Sequence, residues 1–285
     1  MRKYDLLFLT VLIFLPIVKV TATTPTLLIF PKAVIPGEPV KIVVENVSDI
    51  ASIRKIIFDG IPVGVFNYQG KPTALLGTSL NKKPGQYKVS VKLSDGRLLE
   101  NSIIVGKREK IEAPLGIPEK LGGNTRASQA KLIFSLAEEN AVLDSLRTFP
   151  KALWTEKFLF PINNPIVTDP YGYSRKTGSN SIAHRGTDFR ASEGTQVVAM
   201  NRGIVRLVRT FRVYGKTIVI DHGLGLFTFY MHLSKIKVNE GELVKKSQLI
   251  GVSGQTGYAE KPHLHVTVRV QNISINPIKF MELFD

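Results

Sequence analysis

The stretch "KPHLHVTV", residues 261–268, places two histidines around one leucine at the start of a run of β-branched residues. In a β-strand, side chains alternate between the two faces, so His263 and His265 point the same way, about 6.5 Å apart along the strand. Leu264 then faces the core. Two imidazoles on one face indicate a metal or catalytic site, and the alternative is two half-buried histidines in an ordinary strand.

The sequence around this stretch predicts an antiparallel β domain of two sheets over residues 161–285. The region is rich in β-branched residues and has glycines at regular intervals, which is typical of short strands joined by turns. Six strand-sized runs carry the pattern: "TQVVAM", "GIVRLVR", "KTIVIDHG", "GLFTFYMHL", "QLIGVSG" and "HLHVTVRV".

All five histidines of the chain lie in this predicted domain, and one of them belongs to "AHRGTDF". In an extended stretch His184, Gly186 and Asp188 share a face, and the glycine leaves space for something bound there. Together with one histidine of "HLH", this motif offers two imidazoles and one carboxylate, a set suited to Zn²⁺ with a fourth position open for water. Taken alone, Asp188 could instead cap a turn.

The motifs "DPYGYSR", "AHRGTDF", "IDHG", "FYMHLS", "GELVKKSQLIGVSGQTG" and "KPHLHVTVRV" stand in the order found in one family. Over residues 155–285 the sequence resembles the lysostaphin-type (LytM-like) zinc metallopeptidases, which are peptidoglycan endopeptidases. The resemblance implies an antiparallel β fold with a groove over one sheet. It also implies that His184, Asp188 and His265 bind Zn²⁺, with His232 and His263 nearby as catalytic groups.

The sequence leaves open whether His232 or His263 is the general base, since either imidazole can exchange a proton near neutral pH. Arg175 resembles a family arginine at the rim of the active site, with an ordinary surface arginine as the alternative. Tyr230 would share the face of His232 in a strand, and belongs either to a groove wall or to the core. Thr267 stands where the family commonly has an acidic or amide residue.

His222, in "IDHG", precedes a glycine-rich turn at the end of a predicted strand, and we interpret it as structural.

The upstream part of the chain is predicted to contain a second β unit and a connecting helix. Residues 24–105 alternate apolar and polar positions, and Asp95-Gly96 between two such runs predicts a hairpin. We expect an immunoglobulin-like sandwich there. Residues 106–160 are interpreted as a linker with one helix from Ser128 to Phe149, capped by Ser128 and ended by Pro150. This helix is expected to pack on its neighbours, and Trp154, Phe158 and Phe160 to anchor the segment as core residues.

Composition limits the classes of function. The chain has 285 residues, 44% of them hydrophobic, a formal charge of +15 and no cysteine. Cysteine-ligated zinc, iron–sulfur clusters and disulfide scaffolds are therefore excluded. The positive charge favours anionic partners such as envelope polymers, whereas no motif for nucleic-acid binding is present.

Residues 1–22 are predicted to be a secretory signal peptide. A basic start is followed by a 13-residue apolar run, Leu6 to Val18, and by small residues at a cleavage site. The run is short for a membrane span, although an uncleaved anchor stays possible as the alternative. Cleavage would remove three basic residues and one acidic residue and lower the net charge to +13. The sequence thus predicts an exported protein of the periplasm or cell envelope.

The sequence favours an exported zinc endopeptidase that cuts peptide cross-links or stems of peptidoglycan. One alternative is a catalytically degenerate module that binds or activates other wall hydrolases. Two further alternatives are an adhesin that works through residues 24–105, and a lipoyl- or biotinyl-like carrier. The carrier is disfavoured because Lys245-Lys246 is predicted to lie within a strand, and because it would not explain the clustered histidines.

Overall fold

The computed structural model describes residues 23–284, and the predicted signal peptide at residues 1–22 lies outside this range. Within the described range, no helix has both the length and the apolar character needed to cross a membrane.

The first β unit consists of two sheets that share one hydrophobic core. Alternation decides which residues enter this core: Val40, Ile42 and Val44 are fully buried on one face of their strand. The Asp95-Gly96 turn joins two strands as predicted. The elements are β1 (Thr26–Phe30), β2 (Ala33–Val34), β3 (Pro39–Glu45), a 3₁₀ turn (Ile50–Ser52), β4 (Ile53–Phe58), β5 (Ile61–Val63), β6 (Val65–Tyr68), β7 (Lys71–Gly77), β8 (Gly85–Leu93) and β9 (Leu98–Val105). The sheets have the orders β1-β3-β7-β6 and β2-β9-β8-β4-β5.

The segment between the two β units contributes a strand and a helix to the fold. It contains β10 (Glu112–Pro114), a 3₁₀ turn (Glu119–Leu121) and α1 (Arg126–Asp144). The predicted helix is present, but its bounds were wrong at both ends. Thr125, not Ser128, is the N-cap, since its hydroxyl accepts a hydrogen bond from the Ser128 amide.

The helix also ends well before Pro150, because the following residues bond to the second β unit instead. The Asp221 carboxylate accepts from the Phe149 amide at 2.7 Å and from the Thr148 hydroxyl at 2.9 Å. These contacts compete with continuation of the helix.

The second β unit is built on an eight-stranded sheet with two small sheets beside it. All six predicted strand runs form strands there, and the mainly antiparallel β class is confirmed. Its elements are β11 (Val167–Asp169), β12 (Ser174–Thr177), β13 (Asn180–Ala183), β14 (Thr187–Arg190), β15 (Gln196–Val198), β16 (Gly203–Thr210), β17 (Lys216–Gly223), β18 (Leu226–Leu233), β19 (Lys235–Ile236), β20 (Leu243–Val244), β21 (Leu249–Val252), β22 (His263–Val270), β23 (Ile273–Ile275) and α2 (Pro277–Glu282).

The large sheet has the order β11-β14-β22-β18-β17-β16-β20, and β23 also pairs with β22. The small sheets are β15-β21-β19 and β10-β12-β13, in which β10 joins in parallel from the upstream segment.

The prediction that Lys245 and Lys246 lie within a strand was wrong. They follow β20 in the turn before β21, where the Lys246 ammonium pairs with Glu156 at 3.0 Å. The strand ends at Val244 because the next residues form a reverse turn in which Gln248 bonds to the Lys245 carbonyl.

The two β units are joined through an aromatic cluster around Trp154. Its ring lies 4.9 Å from Phe66 and 5.5 Å from Tyr68 of the first unit. It also lies 5.0 Å from Phe158 of the connecting segment and 5.3 Å from Phe284 of the second unit. Trp154 and Phe158 are buried, as expected for core anchors, and they belong to a core shared by both units.

Candidate metal centre and active site

Three side chains that the sequence predicts as metal ligands converge at one end of the large sheet. Asp188 on β14 stands directly opposite His265 on β22 in the antiparallel ladder. Asp188 Oδ1 lies 2.7 Å from His265 Nδ1 and 3.1 Å from His184 Nε2, and these two nitrogens are 3.1 Å apart. Two imidazole nitrogens and one carboxylate oxygen at such a spacing are a donor set for Zn²⁺.

His184 reaches the cluster from a loop, not from a strand. It follows β13, and β14 begins at Thr187, so the expected continuous extended stretch from His184 to Asp188 is interrupted. Backbone hydrogen bonds of His184 to Gly172 and Tyr173 hold the loop in place. Gly186 leaves the expected space, but the ring of His265 and the Val266 carbonyl fill it.

Each of the three side chains has its outer polar atom held by a further partner. His184 Nδ1 donates to the Pro170 carbonyl at 3.0 Å, so Nε2 is the ring nitrogen that points into the cluster. His265 Nε2 lies 3.0 Å from the Thr267 hydroxyl, which directs Nδ1 inward. Such outer contacts orient metal ligands and fix their tautomers.

The outer oxygen of Asp188 is held by an arginine. Arg175 Nη2 lies 2.7 Å from Asp188 Oδ2 and also contacts Asp169. From the sequence, Arg175 is either an arginine at the rim of the active site or an ordinary surface arginine. In the structure its guanidinium contacts the candidate ligand Asp188. Thr267, which stands where the family commonly has an acidic or amide residue, makes a polar contact with the candidate ligand His265.

Electrostatics favour the protonation states that bind a cation. Burial raises the pKa of Asp188, but the charge of His184 and hydrogen bonds from His184 and His265 outweigh it, so the pKa lies well below its usual range. Burial lowers the pKa of His265 to about 4, against the hydrogen bond to Asp188. Near neutral pH the cluster therefore holds an ionised carboxylate and a neutral imidazole.

The two predicted catalytic histidines stand beside this cluster with their rings 4.8 Å apart. His263 Nδ1 donates to the Lys261 carbonyl and His232 Nδ1 to the Thr256 carbonyl, each at 2.8 Å, so both rings have an unprotonated Nε2 when neutral. His263 Nε2 lies 3.8 Å from Asp188 Oδ1. Burial lowers the pKa of His232 to about 3, with the charges of His263 and His265 adding to this effect.

The backbone of His232 is left-handed, with a φ of +61°, at an irregularity in the pairing of β17 with β18. The irregularity turns His232 toward His263 and away from the face of Tyr230. The contact between His232 Nδ1 and the Thr256 carbonyl was not predicted from the sequence. The glycine-rich "GQTG" turn is the only local signal for such a contact.

Tyr230 and His222 lie outside the site. Tyr230 is completely buried, and its hydroxyl accepts from the Met200 amide, so the groove-wall interpretation was wrong and the core interpretation right. His222 is also completely buried, and contacts the Arg202 carbonyl and the Thr228 hydroxyl, each at 2.8 Å. Both polar atoms of its ring are thus used within the core, as a structural histidine requires.

A cavity of about 300 Å³ opens beside the candidate ligands. Its floor includes His265 and Thr267 of β22, and residues of α1 form one wall. The upstream helix therefore shapes the space next to the metal centre.

The geometry agrees with a family comparison in which residues 182–277 match "Peptidase family M23". These residues form a domain of peptidase family M23. The matched segment includes all five histidines and Asp188. The recognition of a lysostaphin-type metallopeptidase domain is thereby confirmed.

Relatives of the M23 domain include proteins named as peptidoglycan hydrolases. Peptidoglycan DD-endopeptidase ShyA of Vibrio cholerae is 42% identical over 96 residues, which are 34% of this chain and 22% of the Vibrio protein. DD-carboxypeptidase/endopeptidase Mpg of Neisseria meningitidis is 33% identical over 113 residues, which are 39% of this chain and 26% of that protein. The chain thus spans about a quarter of the length of these relatives.

A solved structure is similar over most of the chain. The crystal structure of a candidate peptidase M23 from Pseudomonas aeruginosa has a TM-score of 0.62 at 27% identity, and covers 87% of this chain and 94% of that one. The likeness extends beyond the M23 domain into the upstream β unit.

Proposed function

We propose that this protein is a zinc-dependent endopeptidase that hydrolyses peptide bonds in peptidoglycan. The observation that carries the proposal is the convergence of His184, Asp188 and His265, with the imidazoles of His232 and His263 beside them. The donor set fits zinc in kind and number, and three protein ligands are typical of a catalytic zinc site.

In this proposal His184 Nε2, Asp188 and His265 Nδ1 hold the metal. Zn²⁺ bound there would supply a Lewis acid that polarises the scissile carbonyl and activates water. Pro170, Thr267 and Arg175 keep the three ligands in their orientations.

His232 and His263 handle protons and the charge that develops on the substrate. Each presents an unprotonated Nε2 when neutral. Because burial lowers the pKa of His232 to about 3, His263 is the better group to accept a proton from water and return it to the leaving amine. Once protonated, the same ring donates to a developing oxyanion. The more exposed His263 is reached more readily by substrate, whereas His232 is buried behind it.

Peptidoglycan is proposed as the substrate because the relatives of the M23 domain are named for it. We further propose export to the periplasm or cell envelope, where this polymer lies, and adsorption of the basic chain to anionic envelope polymers.

Zinc content and wall hydrolysis measured on the same preparations test the function. The wild-type chain should hold one zinc per chain and release peptide fragments from purified peptidoglycan. His184→Ala should lose both properties, whereas His263→Ala should keep zinc and lose at least a hundredfold in rate, because proton transfer is impaired but the ligands remain.

Hydrolysis by the His184→Ala protein would refute the ligand assignment. A wild-type protein that binds zinc and peptidoglycan but cleaves nothing would support the alternative of a degenerate module that activates other hydrolases. Mass spectrometry of the released fragments would identify the bond that is cut.

A further inference from the structure

The charged side chains that line the cavity beside the metal centre are basic. Three arginines line it, Arg175, Arg185 and Arg269, and among residues 23–284 no aspartate or glutamate does. The remaining lining is largely apolar, with leucines of α1 on one wall. A cavity lined by cations and aliphatic groups favours an anionic ligand that also has an apolar part.

Two of these arginines already have acidic partners. Arg175 pairs with Asp188 and Asp169, and so belongs to the metal centre. Arg269 is buried, pairs with Asp144 at 2.7 Å and stacks on the ring of Phe229.

Arg185 differs from both, since it forms no hydrogen bond or ion pair within residues 23–284. Its side chain is exposed and lines the cavity next to the candidate ligand His184, which precedes it in the chain. A guanidinium has five donors in a planar fork that matches a carboxylate. Arg185 is therefore available to a ligand at the mouth of the cavity.

The cavity and the metal centre are continuous along one strand. His265, Thr267 and Arg269 alternate with buried core residues on β22, and all three line the cavity. A substrate whose scissile bond lies at His265 thus extends over Thr267 toward Arg269, a distance of about 13 Å for four residues of strand.

We infer that this cavity is a subsite for a free carboxylate of the substrate, and that Arg185 is the residue that selects it. The inference rests on the proposed peptidase function. In a peptide substrate the available anionic group is a carboxylate, either at the chain terminus or on a diacid residue next to the scissile bond. The apolar wall from α1, including Leu132 and Leu136, then contacts the short aliphatic part of that residue.

The test uses two synthetic peptides that differ only in one group, a carboxylate or a carboxamide on the residue next to the scissile bond. The zinc-loaded wild-type chain should cleave the carboxylate peptide with a kcat/KM about ten- to a hundredfold higher, the range expected for a hydrogen bond to a charged group. Arg185→Gln should remove this preference, chiefly by raising KM for the carboxylate peptide. Arg185→Lys, which keeps the charge, should restore part of it.

The matched control is Arg54→Gln, which removes the same charge from an exposed side chain on β4 of the other β unit. This variant should keep the wild-type preference. Zinc content is measured for each variant, so that a disturbed metal centre is distinguished from a lost subsite.

Equal cleavage of both peptides by the wild-type chain would overturn the inference and leave the proposed function intact. The same holds if Arg185→Gln slows both peptides equally at full zinc content. If the wild-type chain cleaves neither peptide nor peptidoglycan, the proposed function itself fails, and the inference with it.

Discussion

Gly186 shows how a single residue permits the candidate metal centre. A Cβ atom at this position would lie 2.3 Å from His265 Nε2 and 2.5 Å from the Val266 carbonyl oxygen. Its φ is not in the left-handed region, so the requirement for glycine comes from this close approach and not from backbone strain. The sequence motif predicted open space at Gly186, and the structure explains which ring needs it.

Replacing Gly186 with alanine should weaken zinc binding by at least tenfold, because the added methyl group must displace His265 from Asp188. The control is Gly64→Ala, whose Cβ meets Leu224 at an ordinary distance of 3.5 Å. Competition with a zinc chelator measures the affinity of both variants. Unchanged affinity in a folded Gly186→Ala protein would contradict the proposed crowding.

His222 should make the stability of the chain depend on pH. Burial lowers its pKa to about 4, whereas an unfolded imidazole titrates near 6.5. Between these values the unfolded state binds a proton that the folded state does not, so the free energy of unfolding should fall as the pH drops from about 6.5 to about 4. The contribution of this one group is roughly 3 kcal/mol.

Urea unfolding of the wild-type and His222→Gln proteins at pH 7 and pH 4.5 would measure this contribution. The variant should lose less stability over this interval, since the other titrating groups are common to both proteins. An equal loss in the two proteins would show that His222 does not carry the pH dependence.

At the scale of the elements, α1 is fixed to the second β unit through a buried carboxylate. Glu139 accepts hydrogen bonds from the amides of Val213 and Tyr214 at 2.8 and 3.1 Å. Burial raises the pKa of Glu139, but these two donors oppose the shift. The helix packs on its neighbours as predicted, and through Leu132 and Leu136 it also forms a wall of the cavity.

Glu139→Ala should lower the free energy of unfolding by about 2–5 kcal/mol, because two buried amides lose their acceptor. Glu138→Ala is the matched control, since Glu138 is the adjacent exposed residue of the same helix and should change stability little. Urea titrations of both variants give the comparison. Equal stability of the two variants would mean that the Glu139 contacts do not hold α1.

At the scale of the whole molecule, a basic chain has its two β units joined by a shared aromatic core. Trp154 is the only tryptophan, and it contacts rings from both units. The formal net charge of the full sequence, including residues 1–22, is +15. Long-range attraction to an anionic polymer depends on this total charge more than on any one side chain.

Adsorption to purified peptidoglycan with its anionic polymers attached should weaken when salt is raised from 0.1 M to 1 M. The screening length falls from about 10 Å to about 3 Å over this range. A pull-down at the two salt concentrations, with zinc content as a control for integrity, measures the effect. Adsorption that does not change with salt would exclude charge as the main cause of binding.

The strands and the donor set could be predicted from local patterns, whereas the details of the site could not. The period-2 alternation of "HLHVTVRV" directly reflects strand geometry. All five histidines lie in one predicted domain, which indicates a shared site. The C-terminal limit of α1 was wrong because Asp221, more than 70 residues away, binds the Phe149 amide. The sequence left Tyr230 between a groove wall and the core because the pairing irregularity next to His232, which breaks the alternation, depends on the neighbouring strand.

The sequence by itself determined a mainly β chain with a lysostaphin-type domain and the residue types of a zinc site, since alternation and motif order are local properties. The tertiary structure decided that Asp188 lies opposite His265, that Arg175 holds the outer oxygen of Asp188, and that α1 borders the cavity. These features depend on strand register and on contacts between residues far apart in the chain, which local patterns do not specify.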